Sequence, residues 1–340
     1  MTTRVMGGAT TTYVYDGLNR LVSVTYPGST PAVSQVYTKT NKLKSVSSTA
    51  ATHTYNYDDN DNLVNELLTV DTYPFLTTYG YNGNDQLTSL TYPRSGRSVD
   101  LAPDLLGRPS KVGTYVSAVA YWPSGQVQSM SYANGTRSSY AQNSRLWPST
   151  MSLTKGSVSY LNTSYAYDGK GNLKSISDSV DGSLNRVMGY DGVDRLTSVS
   201  GPWGSGGIVY DGAGNITQQV FGSNATYYRY DTSNRLSGIS GNQNVSLTYD
   251  GYGDIATARG NAYTYDGVPN LRCINCSGAA KVEYAYDGTN QRIWVSKAGV
   301  KTYEVYNNQG NLLVEYTPST NKLIEYMYLA GKRVAQRVSP

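Results

Sequence analysis

The sequence predicts an all-β protein: an array of about sixteen β-hairpin repeats forming a long, curved, spirally wound antiparallel sheet. Three observations predict it. Nearly the same ten residues recur along the chain, as YDGLNRLVSV from Tyr15, YDGKGNLKSI from Tyr167 and YDTSNRLSGI from Tyr230. The residues ahead of each copy alternate aromatic or β-branched with small or polar, which is the period of a strand. No stretch keeps apolar residues at helical spacing over three turns, and 35 Gly and 12 Pro punctuate the chain throughout.

The repeat reads Y-D-x-x-[GN]-[RN]-L-x-S-[VI], with its tyrosine as position 0. Good copies open at Tyr15, Tyr57, Tyr167, Tyr190, Tyr210, Tyr230, Tyr249, Tyr265 and Tyr286. Position 1 is then Asp16, Asp58, Asp168, Asp191, Asp211, Asp231, Asp250, Asp266 and Asp287. Position 6 is apolar as Leu21, Leu63, Leu173, Leu196, Ile216, Leu236 and Leu271. Looser copies open at Tyr37, Tyr81, Pro103, Tyr121, Tyr140, Tyr306 and Tyr328. From Tyr15 to Tyr328 is 313 residues over fifteen steps, a mean period of roughly 21. A period of that length marks a repeat architecture. It leaves residues 1–340 as one array, with repeats over about 13–334 and no separate globular domain.

Each part of the repeat has a local reason. Before position 0 come TTYVY, THTYNY, TSYAY, NAYTY and VEYAY, so Tyr13 and Tyr15 share a face, as do Tyr55 and Tyr57. Between positions 1 and 5 stand Asp, Gly and Asn, which bond the backbone two residues on or accept positive φ. After position 5 a second short strand follows, as in RLVSVTY and RLTSVS. A connection of three to five residues containing Gly between two strands reads as a hairpin. One hairpin is marginal in water, so neighbours must pair edge to edge. The position-0 tyrosines and position-6 leucines are expected to hold neighbours together, with Leu196 and Leu236 buried on both sides and Val334 on one. The chain holds 33 Tyr against 2 Phe. Tyrosine suits a place where the ring packs and the hydroxyl finds water or a polar partner, so the tyrosine face is expected to line something wet, or something polar, rather than a sealed core.

The repeated YDGLNRLVSV, YDGAGNITQQV and YDTSNRLSGI resemble the YD repeats of RHS-repeat proteins, and the resemblance covers Tyr13 to about Val334. Bacterial polymorphic toxins, the shell components of insecticidal Tc toxins and animal teneurins share that architecture. The resemblance implies hairpins wound into a hollow β-shell that encloses a passenger polypeptide such as a toxin domain. In toxin-type members a sealing segment follows the repeats and cleaves itself at a D-P-x-G-L motif. This chain has no Asp-Pro dipeptide, so no residue inherits that step. The chain is expected to be a partial shell, without the sealing and self-cleavage segment.

The composition holds few groups for chemistry. Net charge is +4 with 15% charged residues, and the cations are spread through the turns, which argues against a nucleic-acid surface. Arg20, Arg108, Arg145, Arg195, Arg235, Arg292 and Arg333 stand at or beside position 5, and Asp16, Asp191, Asp231 and Asp287 should meet the arginine of their own turn. No run of 18 apolar residues exists to span a membrane, and no secretory signal opens the chain. A secreted or cell-surface location would therefore use a signal or machinery not visible in this chain. Cys273 and Cys276, in CINC, are candidates for a disulfide, incidental thiols or half a zinc site. His53 stands alone and reads as structural. DDNDN (58–62) lies where other copies turn and lacks the glycine and glutamate of a calcium loop. GPWGSGG (201–207) is expected to replace a second strand between two good copies, with Trp203 left to plug a wall or meet a partner. Six N-x-[ST] sequons occur, among them Asn134, Asn215 and Asn244.

No catalytic, cofactor or metal residues are assigned. The expected function is non-enzymatic: a shell segment that encapsulates or scaffolds a passenger, partnered by further shell segments or copies of itself. The alternative is an extracellular binding, adhesion or self-assembling sheet that presents tyrosine rows to glycans or a protein.

Overall fold

The computed structural model describes residues 1–6 and 9–339; Gly7, Gly8 and Pro340 lie outside them. Among the described residues there are 32 strands and two short 3-10 turns, Gly182–Leu184 and Pro318–Thr320. Among the described residues no helix is long and apolar enough to cross a membrane. The strands follow one another in sheet order as they do in sequence, so the strand pairing is local throughout. The chain divides into two compact units, one of residues 1–115 with 249–340 and one of residues 116–248.

The motif marks strand boundaries. Position 0 ends the first strand of a hairpin and position 6 begins the second: Ala9–Tyr15 then Leu21–Thr25, Ala51–Tyr57 then Leu63–Val70, Arg186–Tyr190 then Leu196–Gly201, and Asn224–Tyr230 then Leu236–Gly241. The same boundaries hold at Tyr167/Leu173, Tyr210/Ile216 and Tyr265/Leu271. Between them the chain makes a three-residue turn closed by a bulge. In the first copy the Asn19 N–H donates to the Asp16 carbonyl (3.0 Å), and the Asp16 N–H to the Arg20 carbonyl (2.9 Å). The register then shifts between Val14↔Ser23 and Tyr15↔Leu21. Such a turn needs a left-handed residue before its last member. Position 4 supplies it, with Asn19, Asp194 and Asn234 at φ 60°, 66° and 61°, and Gly171 and Gly214 elsewhere. This is why the motif holds Gly, Asn or Asp there and no β-branched residue.

In the first unit, residues 1–115 carry a ten-stranded sheet from Thr2–Met6 to Ser98–Asp100, and residues 249–340 a second run of hairpins ending in Lys332–Ser339. One face of the first run is a buried cluster of Val24, Val33 and Val46, with Tyr13, Leu21 and Tyr55 packed against it. The rings of Phe75, Tyr303 and Tyr316 join the two runs, with Phe75 and Met327 fully buried. The loosest copy, at Pro103, keeps only its turn: Pro103 and Pro109 make an isolated bridge rather than strands.

In the second unit the strands run from Val116–Tyr121 onward by the same hairpin rule. The glycine-rich segment departs from the sequence expectation. It is not a missing strand: Gly201 ends one strand and Gly204–Tyr210 is the next. The glycines are there because backbone comes close. A Cβ on Gly206 would collide with the Val220 carbonyl, and one on Gly201 with the Trp203 ring at 3.0 Å. Trp203 lies against Phe221, edge to face at 5.7 Å.

Candidate functional site

The repeating junction between hairpins is the site that the sequence builds most often. At seven copies the position-0 tyrosine donates its hydroxyl hydrogen to the main-chain carbonyl of position 6 in the preceding copy. Tyr37 bonds Leu21, Tyr190 bonds Leu173, Tyr210 bonds Leu196 and Tyr230 bonds Ile216, each at 2.9 Å. Tyr57, Tyr81 and Tyr286 do the same to Leu43, Leu63 and Leu271. The preceding arginine covers the ring, Arg20 over Tyr37 at 4.7 Å and Arg195 over Tyr210 at 4.5 Å. The excess of tyrosine over phenylalanine thus has a direct cause at these positions. The hydroxyl ties one repeat to the next, its polar partner being the backbone of the neighbouring copy.

Position 1 organises the turn. Asp191 Oδ1 accepts from the N–H groups of Val193 (3.0 Å) and Arg195 (2.9 Å), and its Oδ2 from Arg195 Nε (2.7 Å). Asp16 and Asp231 repeat this with Arg20 and Arg235, and Asp58, Asp168, Asp211 and Asp266 use Asn at position 5. The main-chain and side-chain bonds from Arg195 hold the Asp191 carboxyl below its usual range. Position 5 also reaches forward to position 4 of the next turn, as from Asn172 to Asp194 (2.9 Å) and from Asn270 to Asn290 (3.1 Å). Position 6 differs from expectation. Leu196 and Leu236 are only half-buried, whereas position 9 is buried as Val24, Val46 and Val199. Position 6 offers its carbonyl to the neighbour; position 9 offers its side chain to the core.

Removing one hydroxyl isolates that tie. Tyr210→Phe should destabilise the chain by about 0.5–1.5 kcal/mol, the net value of one hydrogen bond. Tyr227→Phe, at an exposed ring, should change it little. Urea melts of both variants check the difference.

A second site occurs once among the described residues. His53 in Ala51–Tyr57 is buried, with Nδ1 3.1 Å from Glu66 Oε1 and Nε2 2.9 Å from Asp287 Oδ2. Tyr79 donates to the other Glu66 oxygen. Burial alone would lower the His53 pKa, but the hydrogen bonds and charges of Asp287 and Glu66 outweigh it and raise it to about 9. Burial would likewise raise Asp287, but the bond and charge of His53 hold it below the usual carboxylate value. The imidazole is therefore a cation pinned between two carboxylates. Both ring nitrogens are engaged, so neither is free to act as a base. A polar cavity of about 530 Å³ adjoins it, lined by Lys42, Tyr57, Tyr81 and Asn308 among others.

The sequence pattern of the RHS Repeat family matches residues 3–31. Over 139 residues the chain is 32% identical to Double-stranded DNA deaminase toxin A of Burkholderia cenocepacia (strain H111), a match covering 38% of this chain and 9% of that protein. Its fold matches the crystal structure of TcdB2-TccC3-Cdc42 over 97% of the chain, with a TM-score of 0.68 and 14% identity. TcdB2-TccC3 matches over 97% with a TM-score of 0.67 and 14% identity. The chain carries an RHS repeat. The chain spans about a tenth of the curated relative (9%) and about a fifth of the two solved chains (21% and 20%).

Within the repeat array, most sequence-predicted residues fall at the turns and junctions described above. One predicted pair does not form. Asp287 turns away from the arginine of its own turn to His53, and Arg292 instead grips Glu304 with two bonds of 2.7 and 2.6 Å. The reason is local: position 5 of that copy is Gln291, and Arg292 begins the next strand on the Glu304 side. Cys273 and Cys276 are joined as a disulfide, their Cα atoms 5.6 Å apart. The segment at Asp58–Asn62 is a turn like the others, with the Asp61 N–H donating to the Asp58 carbonyl. Sequence reasoning missed Glu66. Its signal was present, since it occupies position 9, where Val24 and Val46 stand in the two preceding copies.

Proposed function

We propose that this chain is a wall segment of an RHS-type β-shell whose role is to enclose or scaffold a passenger polypeptide, without chemistry of its own. One observation carries the reading. Hairpin is tied to hairpin through the same tyrosine–carbonyl bond in each of the two units, which builds wall from a repeated part. The fold shared with the TcdB2-TccC3 structures supports it, as does the stretch shared with a toxin. A wall contains without gripping: its turns are saturated internally by Asp–Arg and Asp–Asn bonds and leave few charges to bind a client. The partners of this reading are a passenger, such as a toxin domain, and further repeat segments. The location is secreted or cell-surface.

The test is protection. The chain is expressed with the sequence that flanks it in its gene, then treated briefly with a non-specific protease. A non-repeat flanking segment should survive while the repeats are folded and be degraded once they are melted. Equal degradation of that segment with and without the repeats would count against containment.

A further inference from the structure

The two runs of the first unit meet at a nearly constant offset. Gly267 N–H donates to Thr30 Oγ1 (2.7 Å), and Arg272 to Ser29 Oγ (2.8 Å). His53 meets Asp287, Lys301 meets Asp71 (2.8 Å), Tyr92 donates to the Tyr326 carbonyl (2.8 Å), and Arg97 and Ser95 meet Glu325. The partners are 228 to 243 residues apart in sequence. That spread is less than one repeat of roughly 21 residues, so the second run follows the first hairpin for hairpin.

A repeat array makes this docking ambiguous. Tyrosine ties, Asp-capped turns and a buried apolar side chain at position 9 recur from copy to copy, so they fit almost equally after a slip of one repeat. What differs is held by few residues. The places equivalent to His53 in the flanking copies are Val33 and Thr77, and those equivalent to Glu66 are Val46 and Leu90. The turns that flank Asp287 carry Asp266, whose Oδ2 is already taken by Asn270, and Asn307, which has no charge. Gly288 packs so closely on the first run that a Cβ would reach Val46 at 2.7 Å and Val33 at 2.8 Å; after a slip one way Asn308 would have to fit there. Glu325 is wholly buried and meets Arg97 across the runs and Arg337 from its own hairpin.

We propose that His53, Glu66 and Asp287, with Glu325 against Arg97, form a register key that docks the run 249–340 on the run 1–115 at one place among the near-equivalent places the repeat offers. In a slipped register Asp287 would lie buried over Val33 and Val46, or over Thr77 and Leu90, without a cation. Glu325 would lose Arg97. A buried charge left without its partner is strongly disfavoured, whereas a satisfied one is nearly neutral. The key therefore acts by penalising wrong registers rather than by strengthening the right one. The exposed Asp71–Lys301 pair is too weakly held to share that role.

That exposed pair supplies the readout. A zero-length carbodiimide should couple Lys301 to Asp71 in the native chain, and peptide mass spectrometry identifies the link. A slip of one repeat brings Lys281 to the same place, or, in the other direction, Lys322 to within one residue of it. The variant carries His53→Gln, Glu66→Gln, Asp287→Asn and Glu325→Gln in the full chain, removing the charges while keeping shape. With its β circular dichroism and a cooperative melt retained, its 71–301 link should fall severalfold and links 71–281 or 71–322 should appear. A folded variant that keeps the 71–301 link at the native yield overturns the proposal. Loss of that link with no new one also overturns it, because the runs would then have parted rather than slipped. If the fourfold variant does not fold, His53→Gln with Asp287→Asn is read by the same links. Failure of both to fold would make the cluster a stability element and overturn the key.

Discussion

His53→Ala should destabilise the chain by about 3–5 kcal/mol at neutral pH, the effect of removing one partner from a buried ion pair. The loss comes less from the missing imidazole than from what stays behind, Glu66 and Asp287 buried without the cation between them. The effect should depend on pH with a definite sign. The folded pKa of His53 is raised to about 9 against an ordinary value of 6.5. Its protonation therefore adds stability that is complete below pH 6.5 and is lost as pH rises through 9. Asp287 acts at the other end, since its lowered pKa adds stability present above the ordinary 3.8 and lost as pH falls through its folded value. Native chain and His53→Ala should thus differ most near neutrality and converge toward pH 10. Guanidinium melts across that range read it, and a constant difference from pH 6 to 10 would exclude the charged imidazole.

Phe75→Ala should be as severe, at about 3–5 kcal/mol for a fully buried aromatic ring. The ring meets Tyr303 at 5.9 Å and Tyr316 at 6.4 Å between centroids, so its removal opens a cavity where the two runs of the first unit join. Leu236→Ala in the second unit should fall well below that, because Leu236 is half-buried and contributes mainly its strand-start backbone. Thermal melts that rank Leu236→Ala above Phe75→Ala would place the main cohesion in the leucines of the motif rather than in the packing of the two runs.

Much of this architecture was legible before any coordinates. The alternation ahead of Tyr15 and the Asp-Gly-x-Asn turn are local signals, and local signals decide a hairpin. The strand boundaries accordingly fall on the tyrosine and the apolar residue six places on. The purpose of the tyrosine hydroxyl was harder to see, because its acceptor is a main-chain carbonyl and leaves no mark on the side chain at position 6. The leucine was over-weighted for the same reason: its recurrence records a strand start and a half-covered side chain, while Val46 at position 9 carries the burial. The histidine cluster was half visible. Glu66 breaks the apolar pattern at position 9 and Gln291 gives Asp287 no arginine at position 5, and both can be read in one dimension. That His53 and Asp287 should meet across 234 residues cannot be, since it follows from how one run lies on another.

The tyrosine tie has a further consequence at the level of the gene. Its acceptor is a peptide carbonyl, which every residue type carries, so any repeat can follow any other without a matched side chain at the junction. Unequal exchange between near-identical stretches of coding sequence would add or remove whole hairpins. Each rearranged chain would still close its junctions, because a copy brings both its own tyrosine and the carbonyl its successor needs. Copy number can then drift and be selected on length alone, with the junction chemistry staying unchanged.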